Sequence, residues 1–151
     1  MDFEFFSPPS SFRAPTRNFT LPLVIPHTDA ESHPKLIFSY HNFKKTPSLK
    51  TLLKKAESMR LMGADIVKIA VQAQSTDDAL KLIFLADHLK TKNIPHCLIA
   101  MGKKGILSRI ITPHLGGTFM FAPLTKNKST APGQLTVAEL KKAWSLIKHP
   151  D

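Results

Sequence analysis

Residues Gly63–Val71 read GADIVKIAV. A run this apolar, short and rich in β-branched residues is a strand covered on both faces, the kind found in parallel sheets. Lys68 interrupts it. If Ile66, Lys68 and Ala70 share one face, Val67, Ile69 and Val71 share the other, and neither is an obvious solvent face. Burial disfavours an ammonium and can lower a lysine pKa by several units. A neutral amine at pH 7 attacks carbonyls to give a Schiff base. The plainer alternative is a lysine that snorkels to water or pairs with a carboxylate.

Outward from this strand, apolar runs alternate with helical spacing. KLIFSYH (Lys35–His41) precedes it as a strand. Leu49, Leu52, Leu53, Ala56 and Met59 between them follow helical periodicity, with Ser48 as N-cap and Gly63 as the stop. After it, STDDALKLIFLADHLKTKN predicts a helix with Asp77 and Asp78 favouring its N-terminal dipole and a core stripe of Ala79, Leu80, Ile83, Phe84 and Ala86. HCLIAM (His96–Met101) is a third strand, KKGILSRIITPHLG a shorter helix, and TFMFAPL (Thr118–Leu124) a fourth strand. Thr136 and Glu139 form a capping-box pattern at the head of a closing helix. Strands alternating with helices, without hairpin signals, predict a parallel α/β sheet. MDFEFF is a possible fifth strand. Residues Ser7–Pro34 hold six of the 12 prolines and read as mostly irregular.

Composition bounds the rest. One domain's worth of chain, 151 residues, carries 42% hydrophobic side chains and a formal charge of +10. The basic residues are scattered as pairs, such as Lys44–Lys45 and Lys103–Lys104, which read as solvated faces rather than a nucleic-acid surface. A single cysteine, Cys97, rules out an internal disulfide framework, spells no cysteine metal site and fits a reducing cytoplasm. No apolar run reaches the roughly 20 residues that span a bilayer, and no secretory signal pattern opens the chain.

In parallel α/β folds, chemistry gathers at the C-terminal strand ends. His41 ends one strand and can exchange protons near neutral pH. Arg109, in the helix after HCLIAM, has the fork that grips a carboxylate. Ser108 beside it reads as a structural hydroxyl. Thr130 and Gln134 lie in the turn-rich stretch that follows TFMFAPL. MGKKG (Met101–Gly105) lacks P-loop spacing, and no Gly-x-Gly-x-x-Gly occurs, so nucleotide binding has little support.

Four stretches, FSYHNFKKTPS, GADIVKIAV, MGKKGILSR and TAPGQLTVAEL, occur in the order and at the spacing of type I 3-dehydroquinate dehydratase, which the chain resembles from about Lys35 to Ile147 and, loosely, over Met1–Phe12. The resemblance implies a (β/α)8 barrel without metal or organic cofactor. It further implies a hydro-lyase of the shikimate pathway, on the route to chorismate and the aromatic amino acids, that turns 3-dehydroquinate into 3-dehydroshikimate.

By position, Lys68 matches the imine-forming lysine, His41 the general acid/base, and Arg109 the carboxylate-binding arginine. Thr130 and Gln134 match the Ser and Gln of the Ser-Ala-Pro-Gly-Gln loop that closes over substrate. Thr130 keeps the hydroxyl and adds a methyl.

The resemblance also implies a single partial barrel domain over residues 1–151, about five parallel strands with four helices. The family's Glu-x-Arg pair, a further arginine and a histidine-orienting glutamate would lie upstream. A five-stranded piece does not close a barrel. The implied partners are therefore a missing N-terminal barrel fragment or further copies of the chain, and a fused or adjacent shikimate dehydrogenase, with no nucleic acid or membrane. The competing readings are a non-catalytic half-barrel subunit and, less compatible with TAPGQ and SYHNF, a class I aldolase.

Overall fold

The computed structural model describes residues 19–25, 34–129 and 131–147. The loose similarity over Met1–Phe12, the possible strand MDFEFF and Thr130 lie outside them. The sheet has four strands in the order β1 (Phe19–Ile25), β2 (Lys35–Asn42), β3 (Ile66–Gln72) and β4 (His96–Met101). Strands β2, β3 and β4 are parallel, joined by α1 (Leu49–Leu61) and α2 (Thr76–Thr91). A short helix, α3 (Ile106–Ile111), follows β4 between two 3-10 turns, and α4 (Val137–Ser145) ends the described chain.

The helix boundaries follow local chemistry. Ser48 accepts a hydrogen bond from the Thr51 amide, and Gly63 at φ +95° ends α1 in a conformation that glycine alone adopts freely. Thr136 and Glu139 form the predicted capping box. One face of the sheet carries Tyr40, Val67, Ile69, Val71, Leu98 and Ala100, packed on Leu52, Ala56 and Met59 of α1 and on Ala79, Leu82, Leu85 and Leu89 of α2. Each buried leucine there is worth about 1.5–3 kcal/mol over an exposed one.

The structure corrects the strand count, the TFMFAPL strand and the α2 stripe. Among the described residues three strands are parallel, where about five were expected. Within Ser7–Pro34, expected to be mostly irregular, the described residues Phe19–Ile25 pair antiparallel with β2, with a register irregularity between Thr20 and Leu23. Pro22 falls in that irregularity. Prolines forbid a continuous helix, but an edge strand tolerates one where no ladder bond is lost.

TFMFAPL forms no strand. After one isolated bridge between His96 and Gly117, with the Thr118 amide donating to the His96 carbonyl at 2.8 Å, the chain leaves the β4 edge. Phe119 and Met120 then cover Ala70, Cys97 and Ile99 on the sheet face away from α1 and α2. An apolar sheet face without a helix over it draws the nearest apolar segment across itself.

The α2 stripe is also rotated. Leu80 and Phe84 are exposed, at 38% and 61%, and Leu82, Leu85 and Leu89 are the buried leucines. This helix carries apolar residues on two adjacent faces, and the sheet selects the one with three leucines at i, i+3 and i+7.

Candidate active site

The face of the sheet opposite α1 and α2 is built by alternation. Register pairs Ser39 with Lys68 and Lys68 with Cys97, forming one row across three strands. The next row on that face is His41, Ala70 and Ile99. Lys68 and His41 are thus on adjacent strands and adjacent rows, His41 nearer the C-terminal strand ends. Their charges interact. Burial first, and then the Lys68 ammonium, hold the His41 imidazole below its ordinary value, so at pH 7 it is neutral and can accept a proton. The ring stacks on Phe43 at 5.8 Å between centroids and 8° between planes.

The SYHNF stretch turns sharply past the strand because Asn42 Oδ1 accepts hydrogen bonds from the Lys44 and Lys45 amides. The buried Thr46 hydroxyl then donates to the Gln72 carbonyl at 2.8 Å, fastening this turn to the end of β3.

Lys68 is half-buried rather than enclosed. Its Nζ sits 4.7 Å from the centroid of the Phe121 ring. Cys97 lies on the far side in the same row, and burial pushes its thiol up to about 12 against the pull of Lys68 and Arg109. The one thiol therefore feels both cations, which brings the α3 arginine into the lysine's neighbourhood.

Arg109 is 2% exposed, and its Nε and Nη1 make no hydrogen bond among the described residues. Burial holds the guanidinium below its ordinary value, partly offset by Cys97. A buried guanidinium with free donors is costly unless an anion meets it. Ser108 does what its neighbour does not. Its hydroxyl accepts from the Ala100 amide at 3.0 Å and donates to the Gly105 carbonyl at 2.8 Å, pinning α3 to β4.

Gln134 lies in the turn that follows position 130. Its Oε1 accepts from the Ser129 hydroxyl at 3.1 Å. The turn is held over the C-terminal end of β4 by glycine contacts. A Cβ on Gly133 would stand 2.4 Å from the Gly102 carbonyl oxygen, and one on Gly102 would stand 2.6 Å from Gln72 Nε2. The stack Gln72–Gly102–Gly133 thus joins β3, the turn after β4 and the TAPGQ stretch.

Lys68 and His41 lie in adjacent rows of one sheet face, Arg109 of α3 acts with Lys68 on the Cys97 thiol, and the turn that carries Gln134 rests on Gly102 just past β4. Thr130 is outside the described residues. Sequence reasoning missed Phe121, Ser39 and Gln72. The alternation from Lys68 to Gln72 and from His41 back to Ser39 was available, whereas Phe121 was assigned to a strand ladder. Among the described residues no three His, Cys, Asp or Glu side chains gather as a metal site requires. No helix among them is long and apolar enough to cross a membrane.

Comparison with known proteins meets this geometry. The family model for type I 3-dehydroquinase matches residues 24–151. The 3-dehydroquinate dehydratase of Methanosarcina mazei is 40% identical over 113 residues, 75% of this chain and 47% of that protein. That of Alkaliphilus oremlandii is 41% identical over 121 residues, 76% of this chain and 46% of that protein. The crystal structure of the Geobacillus kaustophilus 3-dehydroquinate dehydratase superimposes with a TM-score of 0.68 at 32% identity, covering 75% of this chain and 44% of that one. The type I enzyme of Clostridium difficile, solved with covalent modified comenic acid, gives 0.66 at 30% identity, with the same coverage. A dehydroquinate dehydratase and shikimate dehydrogenase from S. pombe matches at 34% identity and a TM-score of 0.60, over 75% of this chain and 21% of that one. The chain spans about half the length of the curated relatives it matches. With a lysine and a histidine in adjacent rows on one face of a parallel sheet, an arginine buried in the helix that follows it, and a family model that covers most of its length, the chain belongs to the type I 3-dehydroquinase family.

Proposed function

We propose that this chain carries the reacting groups of a dehydratase that converts 3-dehydroquinate to 3-dehydroshikimate, on a sheet that forms part of a (β/α)8 barrel. The observation that carries the reading is Arg109, a buried guanidinium with two nitrogens unpaired among the described residues, gathered with Lys68 around Cys97. A small carboxylate bearing a ketone fits both ends of that arrangement.

In this reading Lys68 Nζ attacks the ketone carbon and water leaves, giving an iminium. The Arg109 donors hold the carboxylate and fix which C–H faces His41. Neutral His41 takes that proton, and the electron pair moves into the iminium as an enamine. The enamine expels the neighbouring hydroxyl, which leaves as water with the proton His41 holds. A second water hydrolyses the imine and frees Lys68. Gln134 and Thr130 close over the substrate. Support for a covalent step comes from the C. difficile relative, whose structure holds a covalent modified comenic acid. The lone buried Cys97 fits work in a reducing cytoplasm.

The test is borohydride trapping. The chain is incubated with 3-dehydroquinate, reduced, digested and weighed. The expected result is adduct mass on the Lys68 peptide and none in Lys68→Met. An unmodified Lys68, under conditions where the G. kaustophilus enzyme is trapped, overturns the reading.

A second reading, favoured by the half-length match, is a half-barrel subunit that is inert until a partner fragment supplies the remaining strands. Trapping only after mixing with the first half of a full-length relative selects it over the first.

A further inference from the structure

Phe119 and Phe121 meet edge to face, with centroids 5.4 Å apart and planes at 88°. Phe119 is anchored on the Ala70, Cys97 and Ile99 cluster, the same face that carries Lys68. Phe121 is 45% exposed, far too open to be a core residue, yet its ring lies face-on to the lysine nitrogen. The stretch that holds both rings leaves the β4 edge after one bridge instead of extending the sheet.

An aromatic face offers partial negative charge to a cation within about 6 Å of its centroid. The edge-on contact with Phe119 fixes the orientation of the Phe121 ring.

We propose that Phe121 is a positioning residue that caps the resting Lys68 ammonium, so that the amine reacts with a carbonyl only after the ring moves off it. Segment 118–124 is then a strap over the lysine, and an incoming substrate displaces the ring. Its catalytic consequence rests on Lys68 being the imine-forming residue; the contact itself does not.

The test is reductive methylation of the full chain with formaldehyde and cyanoborohydride. The amine condenses with formaldehyde to an iminium, releasing water, and the borohydride delivers hydride to give the methylamine. Labelling of each lysine is followed by peptide mass. Lys55, whose Nζ lies 4.1 Å from the Tyr40 ring centroid, is the internal reference.

Phe121→Leu keeps apolar bulk and removes the ring; Phe121→Tyr keeps the ring. The expected result is a rise of about two- to fivefold in the Lys68:Lys55 labelling ratio in Phe121→Leu, with little change in Phe121→Tyr. An unchanged ratio in Phe121→Leu, including an equal rise at both lysines, overturns the proposal. So does a rise of equal size in Phe121→Tyr. Trapping with 3-dehydroquinate is scored separately. A failed trap with the expected ratios removes the dehydratase reading and leaves the cap standing. A successful trap with flat ratios does the reverse.

Discussion

Gly133 rests directly on Gly102. A Cβ on the former would approach the carbonyl oxygen of the latter to 2.4 Å, and Gly133 itself has φ +77°. Both facts exclude a side chain there. Gly133→Ala therefore combines a left-handed backbone penalty of about 1–2 kcal/mol with a clash against backbone that cannot yield. The turn carrying Gln134 should lift from the end of β4. Trypsin should then cut faster after Lys126 and Lys128, which precede that turn, with little change in far-UV circular dichroism. Unaltered cleavage would mean that the contact does not hold the turn.

Arg109 presents the opposite balance. Its guanidinium is buried with two nitrogens unpaired among the described residues, a state that function can justify and folding cannot. Replacing a buried charge with an apolar side chain of similar size is often neutral or stabilising by about 1–4 kcal/mol. Arg109→Met should leave the urea midpoint unchanged or raise it, and should abolish 3-dehydroquinate trapping at Lys68. A variant that unfolds more readily would show that Arg109 is a structural residue with partners elsewhere.

Lys68 stood out because a charge in IVKIAV contradicts its surroundings, and alternation correctly divided β3 into two faces. The helices with a single apolar stripe and strong caps, α1 and α4, were legible for the same reason. Chemistry local to Ser48, Gly63, Thr136 and Glu139 dictates their ends.

The losses share one cause, competition between surfaces that only tertiary packing resolves. Helix α2 offers two apolar faces, so Leu80 and Phe84 looked as buried as Leu82 and Leu85. TFMFAPL has strand composition but covers a sheet face instead of joining an edge. Strand β1 depends on pairing with β2, with partners from Ile25 and Lys35 to Phe19 and Tyr40, which no local pattern encodes. Gln72 and Ser39 are the exception, since the two-residue alternation that divides β3 and β2 already puts them on the faces of Lys68 and His41.

Cys97 separates burial from reactivity. Its thiol is 1% exposed and is pushed up to about 12 from the ordinary 9.0, chiefly by burial. The thiolate is the reactive form and burial disfavours it, so the folded protein carries much less of it than a free thiol at the same pH. Iodoacetamide at pH 8 should leave Cys97 unmodified for hours in the native chain and alkylate it within minutes in 8 M urea. Rapid native labelling would mean that the face under Phe119 and Met120 opens readily.

Asp78 sets an acid limit. Burial pushes its carboxyl up, but the Lys81 ammonium at 2.8 Å and the Gln74 and Ser75 amides donating to Oδ2 outweigh burial and hold it below the ordinary carboxylate value. A depressed folded value means that the unfolded chain binds the proton more readily. The stabilisation is therefore complete above the unfolded value near 4 and lost as pH falls through the lower folded value. Asp78→Asn keeps the size but loses the ion pair and the charge on the two amides, and should cost about 1 kcal/mol at pH 7. The gap between wild type and Asp78→Asn in urea midpoints should narrow as pH falls below about 4 and close in stronger acid. A gap that does not narrow in acid would assign the contribution to packing at the head of α2 rather than to the carboxylate.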